Sequence, residues 1–376
     1  MDIETLCIHG SKKSYDTTGA ICVPIFTSAT YSHPGVGVST GFDYSRTQNP
    51  TREHLENTIA ALEGGCGAVA YSSGMAAASA LMELFTPGDH IVASDDLYGG
   101  SYRLFEQISV KNGITFSYAD SVKDLIASIS LSTKAIFIET PTNPMMQVVS
   151  IAAVSEITKK HGLLLIVDNT FLTPYFQRPL SLGADIVLHS ATKYLGGHND
   201  ALAGLLVAKN VDVYERLRAI TNTTGAVLSP FDSYLITRGI KTLAVRMERQ
   251  QETAQKLARW LEDREEVSRV YYVGLPNHPN LETTLKQSSG FGGMISFSVR
   301  NEEIAVKLLE RVKVIQYAES LGGVESLITY PALQTHGDIP EEIRIARGID
   351  SRLLRLSVGL ESANDLICDL QQALEG

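Results

Sequence analysis

Short apolar runs alternate with helical patterns along roughly the first 210 residues, and this alternation constrains the fold more than any other feature. MAAASALMELF at 75–85 is one of the helical patterns, and it lies between two apolar runs. Buried strands separated by helices are typical of a mainly parallel sheet covered on both faces. The predicted strands are GAVAYSS (67–73), HIVAS (90–94), ITFSY (114–118), KAIFIET (134–140), LLLIVDN (163–169), DIVLHS (185–190) and LAGLLVA (202–208).

The rest of the chain has a different character. A long helical region covers about 210–265, and the strands RVYYV, GGMISFSV and RLLRLSV follow it, separated by helices at 302–312 and 363–375. Because 376 residues exceed one ordinary core, the sequence predicts a smaller C-terminal α/β domain docked on the first. The expected boundaries are 51–235 for the large domain and 236–376 for the C-terminal domain.

The first 50 residues are rich in Gly, Pro, Ser and Thr and show weak periodicity. Residues 1–50 are therefore expected to form an extended arm. A helix is predicted to begin in TREHLENTIAALEGG, with Thr51 as its cap, because Leu55 and Ile59 recur at helical spacing. Gly64 is expected to end this helix.

Composition and charge exclude several classes of function. A formal net charge of −10 argues against nucleic acid or an anionic membrane as the main partner. No apolar run approaches the roughly 20 residues of a membrane helix, and MDIETLCIHG lacks the pattern of a signal peptide. The cysteines are far apart, which fits a reducing compartment, so a cytoplasmic location is expected. His189 and His198 lack a convergent set of ligands, and no metal site is predicted.

Polar residues follow the predicted strands at the edge where parallel sheets bind ligands. Lys193 stands in HSATKYLGGHND, just after one strand, and an amine whose charge is suppressed can form an imine with a carbonyl compound. Asp168 ends the apolar run in LLLIVDN, and a carboxylate there can keep a pyridinium nitrogen protonated. A solvated loop lysine, and a helix cap or buried ion pair, are the structural alternatives.

Three further segments suit the same ligand. The SSG segment that ends at Gly74 leads into a helix N-terminus, which can bind an anion, and Ser190 and Thr192 can add hydroxyl donors. Tyr98 precedes two glycines, so its ring can lie flat over a planar ligand. Asn143, in ETPTNP, can hydrogen-bond a ring oxygen or a carboxylate, with an ordinary turn asparagine as the alternative. In combination, these segments fit a phosphorylated pyridine aldehyde.

The motifs also carry a family resemblance. SSGMAA, DLYGGSYRLF, ETPTNP, VDNTF, HSATKYLGGH, ESLGGVESL and RLSVGLE resemble motifs of the Cys/Met metabolism family of pyridoxal-phosphate (PLP) enzymes. The match covers nearly the whole chain, in order. It implies a fold-type I PLP-dependent transferase, similar to aspartate aminotransferase, with pyridoxal 5′-phosphate as cofactor and a small amino acid as substrate. It also implies a homotetramer, a dimer of tight dimers with shared active sites.

The resemblance implies a role for each cofactor motif. Lys193 would carry the cofactor as an imine, Asp168 would bind the ring nitrogen, and Tyr98 would stack on the ring. The arm motif FDYSRTQNPT would reach the phosphate in a neighbouring subunit. The implied phosphate contacts are Gly74, Met75, Ser190 and Thr192 within the subunit, and Tyr44 and Arg46 from its neighbour.

ESLGGVESL and RLSVGLE imply a substrate site. Ser320 and Arg355 would bind the substrate carboxylate with help from Asn143, and a buried salt bridge is the alternative for Arg355. Glu319 resembles the acid of cystathionine γ-lyases and γ-synthases, which can hold the distal ammonium of cystathionine. Glu319 and Gly100 both differ from the pattern of methionine γ-lyases.

The implied chemistry is carbon–sulfur cleavage or exchange. The leading hypothesis is γ-elimination of L-cystathionine to cysteine, 2-oxobutanoate and ammonia, with Lys193 and Tyr98 as proton carriers. γ-Replacement on an O-acylhomoserine and β-elimination to pyruvate are the alternatives. A PLP-binding regulator without activity is an alternative of a different class. Arg238 and Arg246, in the long helical region, are interpreted as solvated.

Overall fold

The larger of two sheets is mainly parallel, as predicted. The structure is a computed structural model that describes residues 1–10, 18–337 and 339–375. Seven strands follow the spatial order β1-β7-β6-β5-β4-β2-β3, and only β7 runs antiparallel to its neighbours. The strands are β1 Gly67–Tyr71, β2 His90–Ser94, β3 Thr115–Ala119, β4 Thr133–Glu139, β5 Leu164–Asp168, β6 Ile186–Ser190 and β7 Gly204–Ala208.

Successive residues of β4 explain why both faces of this sheet are covered. Ile136 and Ile138 belong to one apolar cluster, and Ala135 and Phe137 belong to another on the opposite face. All four side chains are buried. Because side chains alternate between the faces of a strand, a run that is apolar at every position needs packing on both sides. The α/β fold with helices on both faces is therefore confirmed.

Helices connect these strands at nearly every predicted position. Two short 3₁₀ turns, Ser109–Asn112 and Pro179–Leu182, add to the connections. The long helical region predicted over 210–265 consists of three helices rather than one. The helices up to this point are α1 Ile3–His9, α2 Pro50–Glu63, α3 Gly74–Met82, α4 Gly99–Gln107, α5 Val122–Ala127, α6 Ile151–His161, α7 Thr173–Phe176, α8 Val211–Thr224, α9 Pro230–Ile240 and α10 Leu243–Glu262.

The start of α2 corrects one detail of the sequence analysis. The cap is Asn49, whose side chain accepts hydrogen bonds from the backbone N–H groups of Thr51 and Arg52. The Thr51 hydroxyl instead donates to the carbonyl of Pro24, 2.8 Å away. The prediction of Thr51 as the cap was wrong. Pro50 occupies the first helical position, so the cap is the residue directly before it, Asn49. Gly64 ends the helix in a left-handed conformation, as expected.

The arm also differs from the prediction. Residues 3–9 form α1, which packs against α2 and buries Cys7 in the core beneath the sheet. The prediction of an extended arm was therefore wrong for these residues, and the part at 11–17 lies outside the described residues. Residues 18–49 contain only bends, turns and isolated bridges.

The C-terminal part of the chain contains the second sheet, which is mostly antiparallel and follows the order β10-β11-β12-β9-β8. It packs with α10, α12 and α14 around its own apolar cluster. Within the described residues, no helix has the length and apolar character needed to cross a membrane. The elements are β8 Val267–Tyr271, α11 Leu281–Gln287, β9 Met294–Val299, α12 Glu302–Arg311, β10 Gln316–Tyr317, β11 Leu327–Thr329, α13 Glu341–Ala346, β12 Leu353–Ser357 and α14 Ala363–Glu375.

Candidate active site

A cavity of about 320 Å³ lies between the carboxyl edge of the first sheet and segments that precede β11 or belong to β12. The sequence-predicted residues converge on this cavity, although they are spread over nearly 300 positions of the chain. Tyr44 and Arg46 do not reach it. The predicted residues that line it are Gly74, Met75, Tyr98, Asn143, Asp168, Ser190, Thr192, Lys193, Glu319, Ser320 and Arg355.

Lys193 follows β6 in a tight turn and points its amine at the opposite wall. Its Nζ donates a hydrogen bond to Ser320 Oγ, 2.9 Å away. Burial, together with the nearby Arg355 guanidinium, lowers the pKa of Lys193 to about 8, while Glu319 opposes the shift. A neutral amine is therefore more accessible here than on a solvated lysine, which suits a nucleophile.

Arg246, in α10, hydrogen-bonds to the backbone of this turn. Its guanidinium donates to the carbonyl of Tyr194 at 2.7 Å and to that of Gly239 at 2.8 Å, and the side chain is buried. The interpretation of Arg246 as solvated was wrong, because its guanidinium is enclosed between the lysine turn and the end of α9. This arginine in α10 thus fixes the backbone next to Lys193.

Asp168 ends β5, directly beside the end of β6. Its Oδ1 accepts hydrogen bonds from the backbone N–H of Thr170 at 3.0 Å and from the Thr170 hydroxyl at 2.6 Å. That hydroxyl also accepts from the N–H of Ser190, which ties the two strand ends together. Burial raises the pKa of Asp168. The second oxygen, Oδ2, can accept a bond from a ligand, and a cation there would favour the carboxylate.

The first turn of α3 forms a cradle against β6. Ser73 caps the helix by accepting from the N–H of Ala76 at 3.0 Å. A Cβ atom on Gly74 would lie 2.9 Å from Ser190 Oγ, so only glycine allows this approach. The first N–H groups of a helix have no intrahelical acceptor, and with the Ser190 hydroxyl they suit a phosphate. The Thr192 hydroxyl lines the cavity but is engaged with the backbone of Ala203.

Tyr98 directly precedes α4. Each of the two glycines after it is required for its own steric reason. A Cβ on Gly100 would lie 2.5 Å from Cε1 of the Tyr98 ring, and one on Gly99 would lie 2.3 Å from the carbonyl oxygen of Thr335. The ring therefore occupies the space that a side chain at Gly100 would fill. The Tyr98 ring is partly exposed and lines the cavity, as an open stacking surface would be.

Arg355, in β12, is fully buried with neutral partners. Its Nη1 donates to Asn143 Oδ1 at 2.9 Å, and its Nη2 donates to the carbonyl of Ser320 at 2.9 Å and to Thr329 Oγ1 at 3.2 Å. Its Nε has no partner among the described residues, and none of their ion pairs includes Arg355. Burial lowers the pKa of Arg355 to about 10, so the group stays charged at neutral pH. A buried cation without an anion can bind a carboxylate.

The segment before β11 completes the opposite wall. Ser320 has a φ of +89°, a left-handed conformation that non-glycine residues rarely adopt. This backbone turns the Ser320 carbonyl to Arg355 and its hydroxyl to Lys193. Glu319 is exposed on the rim of the cavity. An exposed carboxylate at this position can contact a cationic group on a ligand that extends out of the cavity.

Tyr44 and Arg46 lie elsewhere on the same chain. Both are in the arm, and the Arg46 guanidinium lies 5.5 Å from the centroid of the Tyr44 ring. Arg46 also donates to the carbonyl of Asn222. Tyr44 is about half exposed. Their predicted role in a neighbouring subunit stays a prediction.

Several residues of the site were missed by the sequence analysis. Glu139 ends β4 and lines the cavity; it follows an apolar run just as Asp168 does, so the same argument applies to it. Thr170 follows Asp168 by two positions in VDNTF. Thr329 offers no comparable pattern, because its contact with Arg355 depends on the pairing of β11 with β12.

Together these groups fit pyridoxal phosphate. The site brings together an amine of lowered pKa for the aldehyde, a buried carboxyl for the ring nitrogen and a helix N-terminus for the phosphate. Gly74 gives the close approach that a bound phosphate needs. Across residues 1–10, 18–337 and 339–375, no group of three or more His, Cys, Asp and Glu side chains suits a metal ion.

Comparisons with known proteins agree with this cofactor. The family model described as "Cys/Met metabolism PLP-dependent enzyme" matches residues 4–375. A Bacillus subtilis cystathionine γ-synthase/O-acetylhomoserine (thiol)-lyase is 54% identical over 99% of this chain and 96% of its own length. A Lactococcus lactis subsp. cremoris cystathionine β-lyase is 49% identical over 99% of each chain.

A solved structure shares the whole fold. The crystal structure of cystathionine γ-lyase from Lactobacillus plantarum, complexed with L-serine, superposes with a TM-score of 0.96 at 44% identity. The match covers 99% of this chain and 98% of the other, so the expected fold-type I architecture is confirmed. The protein takes pyridoxal 5′-phosphate as its cofactor, and the chain belongs to the Cys/Met metabolism PLP-dependent enzyme family, whose members act in trans-sulfuration.

Proposed function

We propose that this protein is a PLP-dependent carbon–sulfur lyase that cleaves L-cystathionine by γ-elimination. The products are cysteine, 2-oxobutanoate and ammonia, and one water is consumed. The observation that carries the proposal is the pairing of buried Arg355 with exposed Glu319 across one cavity. Cystathionine has an α-carboxylate at the reacting end and an ammonium group at the far end, which match these two charges.

The substrate carboxylate binds to Arg355 in the proposed mechanism. Asn143 and the Ser320 carbonyl hold the guanidinium in place through bonds of 2.9 Å each. A bidentate contact with an arginine fork fixes the orientation of a carboxylate as well as its position. The reacting Cα is thereby directed toward Lys193, whose amine is hydrogen-bonded to the hydroxyl of Ser320.

Proton transfer is assigned to Lys193 and Tyr98. When bound, pyridoxal phosphate supplies an electron sink that stabilises negative charge at the substrate Cα. The Lys193 amine, with a pKa of about 8, would remove the Cα proton, and only after it has released this proton could it take a second one from Cβ. The leaving thiolate on Cγ receives a proton from Lys193 or from the Tyr98 hydroxyl. With the cofactor bound, the Asp168 carboxylate would lie against the ring nitrogen and Tyr98 would stack on the ring. Gly74, Met75, Ser190 and Thr192 would hold the phosphate.

A γ-synthase is the second candidate, because a relative of 54% identity carries that name. Purified holoenzyme given L-cystathionine alone separates the reactions, with the keto acids identified by chromatography. We expect 2-oxobutanoate. Pyruvate would indicate β-elimination, and no keto acid, followed by cystathionine formation from an O-acylhomoserine and cysteine, would indicate the synthase. No turnover of any of these substrates would favour a non-catalytic regulator.

The role of Glu319 is tested with Glu319→Gln. Loss of the contact with the distal ammonium should raise KM for cystathionine about tenfold, the effect of one charged contact. KM for homocysteine, which has a Cγ–S bond but no distal ammonium, should stay close to that of the wild type. Glu325→Gln is the matched control, because Glu325 is an exposed acid in the same segment. Equal changes for both substrates would contradict the assignment.

The assembly is proposed to be a homotetramer of tight dimers in the cytoplasm, with Tyr44 and Arg46 completing the phosphate site of the neighbouring subunit. The exposure of Tyr44 and the lack of any contact of either residue with the cavity of its own chain support this arrangement. Arg46→Ala and Lys193→Ala subunits should each be nearly inactive, and refolding them together should restore part of the activity. Failure to complement would contradict shared sites.

A further inference from the structure

Glu139 is a buried carboxyl group for which the proposed mechanism has no use. It is 5% exposed, ends β4 and lines the cavity. Its Oε2 accepts a hydrogen bond from the backbone N–H of Tyr98 at 2.9 Å. The backbone N–H of Asn143 acts on the same carboxyl group and counteracts the rise in its pKa. One side chain therefore interacts with the backbone of both residues.

Those two backbone contacts lead to two different parts of the site. Tyr98 directly precedes α4, and its ring lines the cavity as the proposed stacking surface. Asn143 belongs to the loop after β4, and its side chain accepts from Arg355 at 2.9 Å. A shift of the Glu139 carboxyl group would therefore change the position of the Tyr98 ring relative to the Asn143 side chain and its partner Arg355. Glu139 thus lies between the part of the cavity proposed to contact the cofactor ring and the part proposed to bind the substrate carboxylate.

Burial of this carboxyl is costly, which argues that its position has a function. Asp168 lies opposite Glu139 in the register of β4 and β5, and Asp96, also buried, holds the same loop through the N–H of Met145. Burial, and then the charge of Asp168, raise the pKa of Glu139 well above its ordinary value. A second acid beside Asp168 is unfavourable unless its hydrogen bonds matter.

We propose that Glu139 is a positioning residue that holds the Tyr98 ring and the Asn143–Arg355 pair in their mutual orientation through one buried carboxyl group. The inference rests on the proposed roles of Tyr98, Asn143 and Arg355. It requires an acceptor oxygen at the right distance and does not require the negative charge.

Two conservative variants separate geometry from charge. Glu139→Gln keeps one acceptor oxygen at the same reach and replaces the ionisable carboxyl group by a neutral amide. Glu139→Asp keeps an ionisable carboxyl group and withdraws its oxygens by one methylene group. Glu139→Ala removes both. The matched control is Asp185→Ala, because Asp185 Oδ2 accepts from the N–H of Leu165 at 2.9 Å at the opposite edge of the same sheet.

The measurements use holoenzyme and do not depend on turnover. Visible circular dichroism reports how the ring of the bound cofactor is held, and titration with L-alanine, followed by cofactor absorbance, reports carboxylate binding. We expect Glu139→Asp and Glu139→Ala to raise the L-alanine concentration at half-saturation about tenfold and to reduce the dichroism. For Glu139→Gln, this concentration should stay within about threefold of the wild type. Asp185→Ala should lower only the midpoint of thermal unfolding.

Two results would overturn the inference. Glu139→Asp that behaves as wild type while Glu139→Gln is impaired would assign the effect to charge. Variants that lose thermal stability as Asp185→Ala does, with unchanged dichroism and alanine binding, would make Glu139 a purely structural residue. Because L-alanine probes any PLP enzyme that binds amino acids, an enzyme without activity on cystathionine would leave this test intact, and the two proposals fail separately.

Discussion

The two walls of the cavity are built in different ways. The wall from the first sheet consists of strand ends and the turns directly after them. Its contacts join neighbouring strand ends, such as Thr170 with Asp168 two positions away and with Ser190 twenty positions away. The wall from the second half depends on long-range contacts. Arg355 lies 212 positions from Asn143, and its other partners are in two separate segments.

This difference separates the cofactor from the substrate. Parallel strands place their carboxyl ends at one edge, so a cofactor site follows directly from the fold. The substrate wall needs a strained turn at Ser320 and an arginine without an anionic partner. Relatives of about half identity carry the names of different reactions. The predictions below test this separation.

Removal of the Lys193 amine should have the largest effect. Lys193→Ala lacks both the attachment point and the proton carrier of the first wall, so turnover should fall at least about 10³-fold. Keto-acid release measures turnover, and the absorbance of the bound cofactor should change as well. Lys209→Ala, at an exposed lysine after β7, should retain activity; substantial activity in Lys193→Ala would break the comparison.

Asp168→Asn should be the next largest change. The amide cannot stabilise a protonated ring nitrogen as a carboxylate does, so kcat should fall about 10²-fold, the usual effect of losing one electrostatic contact to developing charge. KM should change little, because Arg355 is untouched. Asp185→Asn, an acid at the opposite edge of the same sheet, serves as the control. A main effect on KM would place Asp168 with the substrate wall instead.

Arg355→Lys should change substrate binding with little effect on the cofactor. An ammonium group cannot replace the fork that reaches Asn143 and Ser320, so KM should rise about 30-fold, equivalent to about 2 kcal/mol. Steady-state kinetics and a cofactor titration separate the two effects. Arg352→Lys, at an exposed arginine that pairs with Asp350, is the control. Loss of cofactor affinity in Arg355→Lys would contradict the division between the walls.

The smallest expected effect is on cofactor uptake by the apoenzyme. Attachment to Lys193 needs the neutral amine, and the pKa of about 8 means that its neutral fraction grows as the pH rises. The attachment rate should increase about tenfold per pH unit below pH 8 and level off above it. Stopped-flow absorbance measures this rate. A midpoint near 10.5, the ordinary pKa of lysine, would show that the wall does not desolvate the amine.

Local patterns were sufficient for much of the first wall. Lys193, Asp168 and Gly74 each stand directly after or between strongly apolar segments, and strand ends converge whatever the rest of the chain does. Glu139 has the same pattern and was overlooked. Arg246 was misjudged because a helical arginine in sequence gives no sign of whether the opposite element encloses its side chain. Its burial depends on the docking of α10 against the lysine turn.

By itself, the sequence determined the alternation of strands and helices, and with it the parallel sheet, the edge that binds the cofactor and the family to which the motifs belong. Only the tertiary structure decided that Arg355 has neutral partners, that Ser320 contacts both Arg355 and Lys193, and that one carboxyl of Glu139 joins the two walls. The physical reason is range. Hydrophobic periodicity acts between neighbours in the chain, whereas hydrogen-bond partners and burial depend on segments that meet only after folding.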